Sequence, residues 1–301
     1  RGNIILYGGG HANYVGNEVY LWQGSNGTWT RGSLPSQVDL STGYVNGGGA
    51  PQSSHTYQTN IYAPINDRFV MFGGAAWNSG GAPSDANGRT GVWWWNPALA
   101  DANKVGGATG TGWNPSSQGS NSWQARPYDP WVGMPAGSGR SYIYGTSAYR
   151  AENGKDVIYL TLDQNSSGLP ALFRYELGSP GTPDSWSMVG VDFGSAYIQS
   201  GAAAIDSTNG LFVRTALTGG SFVNDLAVWD LSQNNAANPT ANKEFGVRLV
   251  TETGEDWATN ASTSVAYLGP AKGRSNLEIE TGALGQRVLF EGRHAVGVEY
   301  R

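Results

Sequence analysis

Few residues in this chain are of the types that do covalent or metal chemistry. There is no cysteine, which removes disulfides, thiolate metal sites and a cysteine nucleophile together. The three histidines are His11, His55 and His294. They could gather at one rim as a metal or acid/base cluster, but no His-x-His or carboxylate spacing accompanies them, so no metal site is expected. A Gly-x-Ser-x-Gly elbow, a His-Glu-x-x-His pair and a phosphate-binding loop are all missing from the sequence, and no cofactor is expected. The chain is instead rich in aromatic rings, with 12 tryptophans and 15 tyrosines in 301 residues. Trp77, Trp113, Trp131 and Trp257 fall in predicted loops beside Asn, Gln and Asp. A flat apolar ring stacks on a sugar face while neighbouring polar groups orient its hydroxyls, so these positions suit glycan binding. Packing of the same rings inside folded-back loops is the competing reading.

Charge narrows the partners. Charged residues make up 14% of the chain, the net charge is −5, and only four residues are lysine. Neutralising a phosphate backbone needs a basic surface, so a nucleic-acid partner is not expected. No apolar run approaches the ~20 residues of a membrane helix, and no membrane insertion is expected. Low lysine content and an Asn/Ser/Thr/Gly-rich surface point to an extracellular setting or the surface of a cell or virion. The chain opens at Arg1 directly into a strand, as a mature or excised segment does.

The elements that must hold these residues are short strands. Glycine is 45 of 301 residues, roughly twice ordinary usage, without a collagen period. Long amphipathic helical patterns are missing. A unit recurs instead: an apolar strand ending in paired glycines, a variable loop, a strand with an aromatic, a turn, and a strand carrying tryptophan. The first copy reads Ile4-Ile5-Leu6-Tyr7-Gly8-Gly9, then Glu18-Val19-Tyr20-Leu21-Trp22, then Gly27-Thr28-Trp29-Thr30. The second reads Asn60–Ala63, Arg68-Phe69-Val70-Met71-Phe72-Gly73-Gly74, Val92-Trp93-Trp94-Trp95 and Ser122-Trp123-Gln124. A third copy, without the glycine pair, is expected at Ser141–Ser147, Asp156–Leu162, Ala171–Leu177 and Ser185–Val189. A fourth is expected at Ala202–Asp206, Leu211–Thr215, Asp225–Leu231 and Phe245–Val250. A less regular fifth covers Ser264–Leu268, Asn276–Glu280 and Arg287–Glu291. Period-2 alternation within these runs supports strands.

The Tyr7-Gly8-Gly9-Gly10 and Phe72-Gly73-Gly74 glycine pairs, the aromatics Tyr20 and Trp94, and the later Trp29, Trp123 and Trp186 resemble the Kelch-repeat β-propeller family. Gly8–His11 with Gly16–Tyr20, and His55-Thr56-Tyr57, are similar to uncharacterised secreted bacterial Kelch-type proteins. The resemblance implies an all-β, single-domain Kelch-like propeller over residues 1–301, with five or six four-stranded blades; two stacked sheets are the alternative. His294–Tyr300 resembles His55–Tyr62, and is expected either to clasp the first blade as its innermost strand or to be the outer strand of a fifth. Galactose oxidase has a propeller of this kind, but its Cys–Tyr cofactor cannot form here.

On that map one face receives the loops His11–Gly16, Leu34–Ser54, Ala75–Gly91, Ala125–Gly139, Asp163–Pro170 and Leu217–Val223. Loops this long are uncommon unless they bind or cover something. The expected recognition residues are Trp77 and Trp131, joined by His11, Tyr44, Asn78 and Arg126. The expected function is a non-catalytic recognition or structural module that binds a glycan or protein partner. The alternative is a glycan-active enzyme, a glycosidase or lyase, with carboxylates such as Asp39, Asp85, Asp129 or Asp192 gathered by the fold.

Overall fold

A computed structural model describes residues 2–8, 14–39, 41, 45–73, 75–76, 92–107, 119–126, 145–163, 170–179, 182–191, 201–218, 221–242, 245–248, 285–291 and 294–300. The chain divides into two compact units, Arg1–Leu249 and Val250–Arg301. Among the described residues, regular structure is strand, apart from single 3-10 turns such as Pro97–Leu99 and Leu231–Gln233.

The strands are β1 (Asn3–Leu6), β2 (Tyr20–Gln23), β3 (Thr28–Arg31), β4 (Ser54–His55), β5 (Asn60–Ala63), β6 (Arg68–Phe72), β7 (Ala75–Ala76), β8 (Val92–Trp95) and β9 (Trp123–Arg126). They continue with β10 (Thr146–Glu152), β11 (Lys155–Asp163), β12 (Pro170–Glu176), β13 (Ser185–Val191), β14 (Ala203–Asp206), β15 (Leu211–Thr218), β16 (Ser221–Asp230) and β17 (Phe245–Arg248). The second unit contributes β18 (Gly285–Glu291) and β19 (His294–Tyr300).

The first unit builds four antiparallel sheets, in the orders β1-β2-β3, β5-β6-β8-β9, β10-β11-β12-β13 and β14-β15-β16-β17, with β4-β7 as a short extra pair. Each larger sheet is a meander of neighbouring strands, as the repeat reading expects. Some boundaries differ: in the fourth sheet β15 runs on to Thr218 and β16 begins at Ser221, and the first strand of the third sheet spans Thr146–Glu152, well past Ser147. The reason is Asn153-Gly154, which take φ of 49° and 76° and close a two-residue hairpin to Lys155. The glycine at the end of β1 has the expected cause. Gly8 sits at φ +89°, and a Cβ there would meet Thr56 Cγ2 at 2.8 Å, so only glycine lets the chain leave the strand against its neighbour.

Alternation along the strands gives each sheet two apolar faces, and three buried clusters stack the sheets in chain order. Phe69, Met71, Trp93, Trp95 and Trp123 of the second sheet pack with Tyr7, Ile5 and Leu21 of the first. The opposite face of the second sheet, with Val70, Phe72 and Trp94, packs on Ile158, Leu160, Phe173 and Tyr175 of the third. The third sheet turns Val157, Tyr159 and Leu172 to Phe212, Ala227 and Trp229 of the fourth. Trp94, Trp123 and Trp229 therefore fill space between sheets.

Three of the sheets meet at one residue near their first strands. Stacked sheets lie about 10 Å apart, so the second and fourth sheets of a flat stack would be beyond the reach of one side chain. Yet Gln58, just before β5, donates from Nε2 to the Ala203 carbonyl at 2.9 Å and accepts from the Ala203 N–H. Its own carbonyl accepts from Ser147 of the intervening sheet. The strand β10 touches both β5 and β14. The inner ends of three sheets thus converge on one glutamine.

In the second unit β18 and β19 form an antiparallel hairpin, with Val288 opposite Val298. Among the described residues the first sheet contains β1, β2 and β3, and the partner of β19 is β18. Ser264–Leu268 and Asn276–Glu280 lie outside the described residues.

Candidate functional site

Of the expected recognition residues, Arg126 is described; Trp77, Trp131, His11, Tyr44 and Asn78 lie outside the described residues. Arg126 ends β9 and reaches the third sheet. Its Nε and Nη2 donate to the two carboxylate oxygens of Asp184 at 2.7 and 2.8 Å. The guanidinium carbon also lies 3.7 Å from the centroid of the Trp94 ring, a cation–π contact in a partly desolvated place. Asp184 is buried and accepts further bonds from the Tyr175 hydroxyl and the Gly178 N–H. The Trp94 indole N–H donates to the Tyr175 hydroxyl at 3.2 Å. Arg126 therefore fastens two sheets to each other.

A different polar group gathers where β1 leaves the first sheet and β2 enters it. Asn17, Glu18 and Val19 are all buried. The described part of Leu34–Ser54 is folded back over this end, with Val38, Val45 and Ala50 buried in the first cluster. Asn17 ties it down: its Nδ2 donates to the Pro51 carbonyl at 2.7 Å, and its Oδ1 accepts the Ser36 N–H at 2.7 Å. Much of this long loop covers the core, one of the two roles its length allowed.

Glu18 is the centre of the group. It is only 8% exposed, and its Oε1 accepts from the hydroxyls of Tyr14 and Tyr20. Gly16 makes the first contact feasible, since a Cβ there would lie 2.3 Å from Glu18 Oε2 and 2.5 Å from the Tyr14 oxygen. Burial and the bond to Glu18 push the Tyr14 phenol well above the ordinary tyrosine range. At neutral pH it is a donor to the carboxylate and not a phenolate nucleophile. Tyr7 lies beneath, donating to the Gln52 carbonyl at 2.7 Å. Its phenol is raised by burial first and by the charge of Glu18 second.

Glu18 Oε2 is buried with no hydrogen-bond partner among the described residues, as are Gln52 Oε1 and Ser53 Oγ of the Leu34–Ser54 loop. Each such atom costs about 1–3 kcal/mol while unmet, and most buried polar atoms in native proteins are met. Two are acceptors and the third a hydroxyl, so the natural complement is a set of O–H or N–H donors. A hard cation takes about six to eight oxygens, usually with several carboxylates, and among the described residues no group of three His, Asp or Glu side chains is placed to hold a metal. Tyr14, 52% exposed, presents a ring to solvent beside Glu18. The sequence carried one local signal for this site, Tyr14 and Glu18 flanking Gly16, which strand patterning does not reveal as chemistry.

Comparisons with known proteins bear on part of the chain. No family model matches, and no solved structure matches. A 53-residue stretch is 53% identical to the oxygen-dependent choline dehydrogenase of Burkholderia ambifaria, covering 18% of this chain and 9% of that protein. The same share and identity hold for the oxygen-dependent choline dehydrogenase of Pectobacterium carotovorum subsp. carotovorum. The chain spans about 9% of the length of these curated relatives.

Proposed function

We propose that this chain is a non-catalytic recognition module, displayed outside the cell or on a virion, that binds a glycan at the Glu18 end of its first sheet. The single observation that carries this reading is the buried Glu18 carboxylate, whose Oε2 has no partner among the described residues, bonded to the half-exposed Tyr14. Sugar hydroxyls are donors of the kind that oxygen lacks, and a ring face beside it suits a pyranose. On this reading Trp77, Trp131, His11, Tyr44 and Asn78, which lie outside the described residues, are further candidates for contact with the glycan. The fold we propose beneath it is a Kelch-like propeller of five or six blades with a C-terminal clasp. The run of four sheets and the meeting of three of them at Gln58 support it.

A glycan-active enzyme is the second reading, favoured by the Tyr14–Glu18 contact, in which a carboxylate could draw a proton from a phenol. The raised phenol speaks against it. A glycan array with parallel turnover assays separates the two. Saturable binding to a defined set of glycans without product supports recognition. Release of reducing ends or sialic acid overturns it in favour of the enzyme, and an array with no bound glycan overturns both.

A further inference from the structure

Glu18 is a buried carboxylate that no cation pairs among the described residues. Its Oε1 accepts from two phenols, Tyr14 and Tyr20, and its Oε2 accepts from nothing. Buried charges in folded proteins are ordinarily paired, and an uncompensated one is strongly destabilising. Carboxylates elsewhere in the molecule follow that rule. The buried Asp184 holds Arg126 at 2.7 Å, and the partly buried Glu152 holds Arg174 at 2.8 Å. One cation does stand near the Glu18 group. Arg31 lies opposite Tyr20 across β2 and β3, and its charge reaches Tyr14. It ends a strand whose four residues are all exposed, and it is not bonded to the carboxylate. The phenols supply no charge either, because burial and the nearby carboxylate raise Tyr7 and Tyr14 and keep both neutral.

From this arrangement we infer that the ligand brings the missing cation: the Glu18 site takes a glycan with a free primary ammonium, a hexosamine that is not N-acetylated. The inference rests on the glycan reading and narrows it. A primary ammonium is compact, with three donors and no acceptor. It therefore gives Oε2 a hydrogen bond and a counter-charge together, and such bonds are roughly twice as strong as neutral ones. A sugar hydroxyl gives the bond without the charge. An N-acetyl group removes the charge and adds a carbonyl acceptor. A uronic or sialic acid sets a second carboxylate against the first, and like charges so placed are strongly disfavoured. A trimethylated amine has the charge but no N–H for Oε2. Gly16 leaves the space against this oxygen free of a side chain, since a Cβ there would lie 2.3 Å from Oε2. The ammonium enters by displacing the hydroxyl of the half-exposed Tyr14, whose ring then lies against the sugar face.

The test titrates the full chain with three β-1,4-linked glucose tetrasaccharides that differ only at C2, where they carry an amine, an acetamide or a hydroxyl. Calorimetry is run at about pH 6, below the range in which amines of this kind lose their proton. The amine sugar is expected to bind about tenfold tighter than the other two, or better. Glu18→Gln should remove that preference, whereas general attraction of a polycation to a chain of net charge −5 would survive it. If the variant does not fold, a lysine tetrapeptide replaces it as the control, and is expected not to compete with the amine sugar. Equal or tighter binding of the acetamide or hydroxyl sugar overturns the inference and leaves the glycan reading standing. Displacement by the tetrapeptide overturns it, as does a preference for the amine that Glu18→Gln retains. Absence of binding by all three sugars also overturns it, while the array decides the glycan reading separately.

Discussion

Two rows of side chains cross the first and second sheets in the same register and live in opposite surroundings. Phe69, Trp95 and Trp123 stand opposite one another across β6, β8 and β9, and all three are buried against the first sheet. Ile4, Trp22 and Trp29 stand opposite one another across β1, β2 and β3, yet Ile4 and Trp29 are each 53% exposed. The third and fourth sheets repeat the buried version with Ile158–Tyr175, which the partly buried Trp186 extends, and Phe212–Trp229. An apolar row across a strand set states which face wants cover; whether it has cover depends on what stands in front of it. Apolar patches of this kind on a folded surface mark places where something else sits.

The largest difference between the two rows should come from Trp95→Ala. Removing a fully buried indole costs about 3–5 kcal/mol, read as a drop in the urea midpoint at constant slope. Arg126→Ala is next, at about 3 kcal/mol, because it leaves the buried Asp184 carboxylate without its cation. The exposed pair of Lys155 and Glu176 is the internal control, and Lys155→Ala should cost under about 1 kcal/mol. Equal losses at the two pairs would break the distinction between a sheet-joining and a surface ion pair.

These predictions rest on features that were unequally legible in the sequence. The strands at Arg68–Phe72, Val92–Trp95 and Leu211–Thr215 could be read because side chains alternate and because glycine or aspartate turns close the runs. The Asn153-Gly154 hairpin was also written there, and is visible once the pair is weighed as a turn signal. Arg126 and Asp184 are 58 positions apart, and Gln58 and Ala203 are 145 apart. No periodicity joins such residues, since their meeting depends on how sheets stack. Glu18 was hidden for another reason. It opens a run read from sequence as a strand, and the described part of Leu34–Ser54 that folds back over this end is not announced by strand patterning.

A smaller effect should appear with alkali. Tyr7 is buried under that loop with its phenol raised, so its contribution is fully present below the unfolded value of about 10. As pH rises beyond that, the unfolded chain loses the proton while the folded chain keeps it, and stability falls. The urea midpoint should stay flat from pH 7 to about pH 9.5 and then decline, with Tyr7→Phe showing a shallower decline. The smallest effect belongs to the open row. Trp29→Ala should shift stability by less than about 1 kcal/mol, since half the ring already meets water. A loss as large as that of Trp95→Ala would mean that the first sheet is covered in solution.

The most direct test of the recognition reading is the affinity of Glu18→Gln for the strongest glycan found on the array, measured by titration calorimetry beside the unaltered chain. The substitution keeps the shape and the acceptor for Tyr14 and Tyr20 but removes the charge that the recognition reading assigns to the ligand. Hydrogen bonds to a charged group contribute about 1.5–3 kcal/mol, so affinity should fall at least tenfold with the melting temperature within a few degrees. Unchanged affinity in a normally folded Glu18→Gln chain would contradict the account.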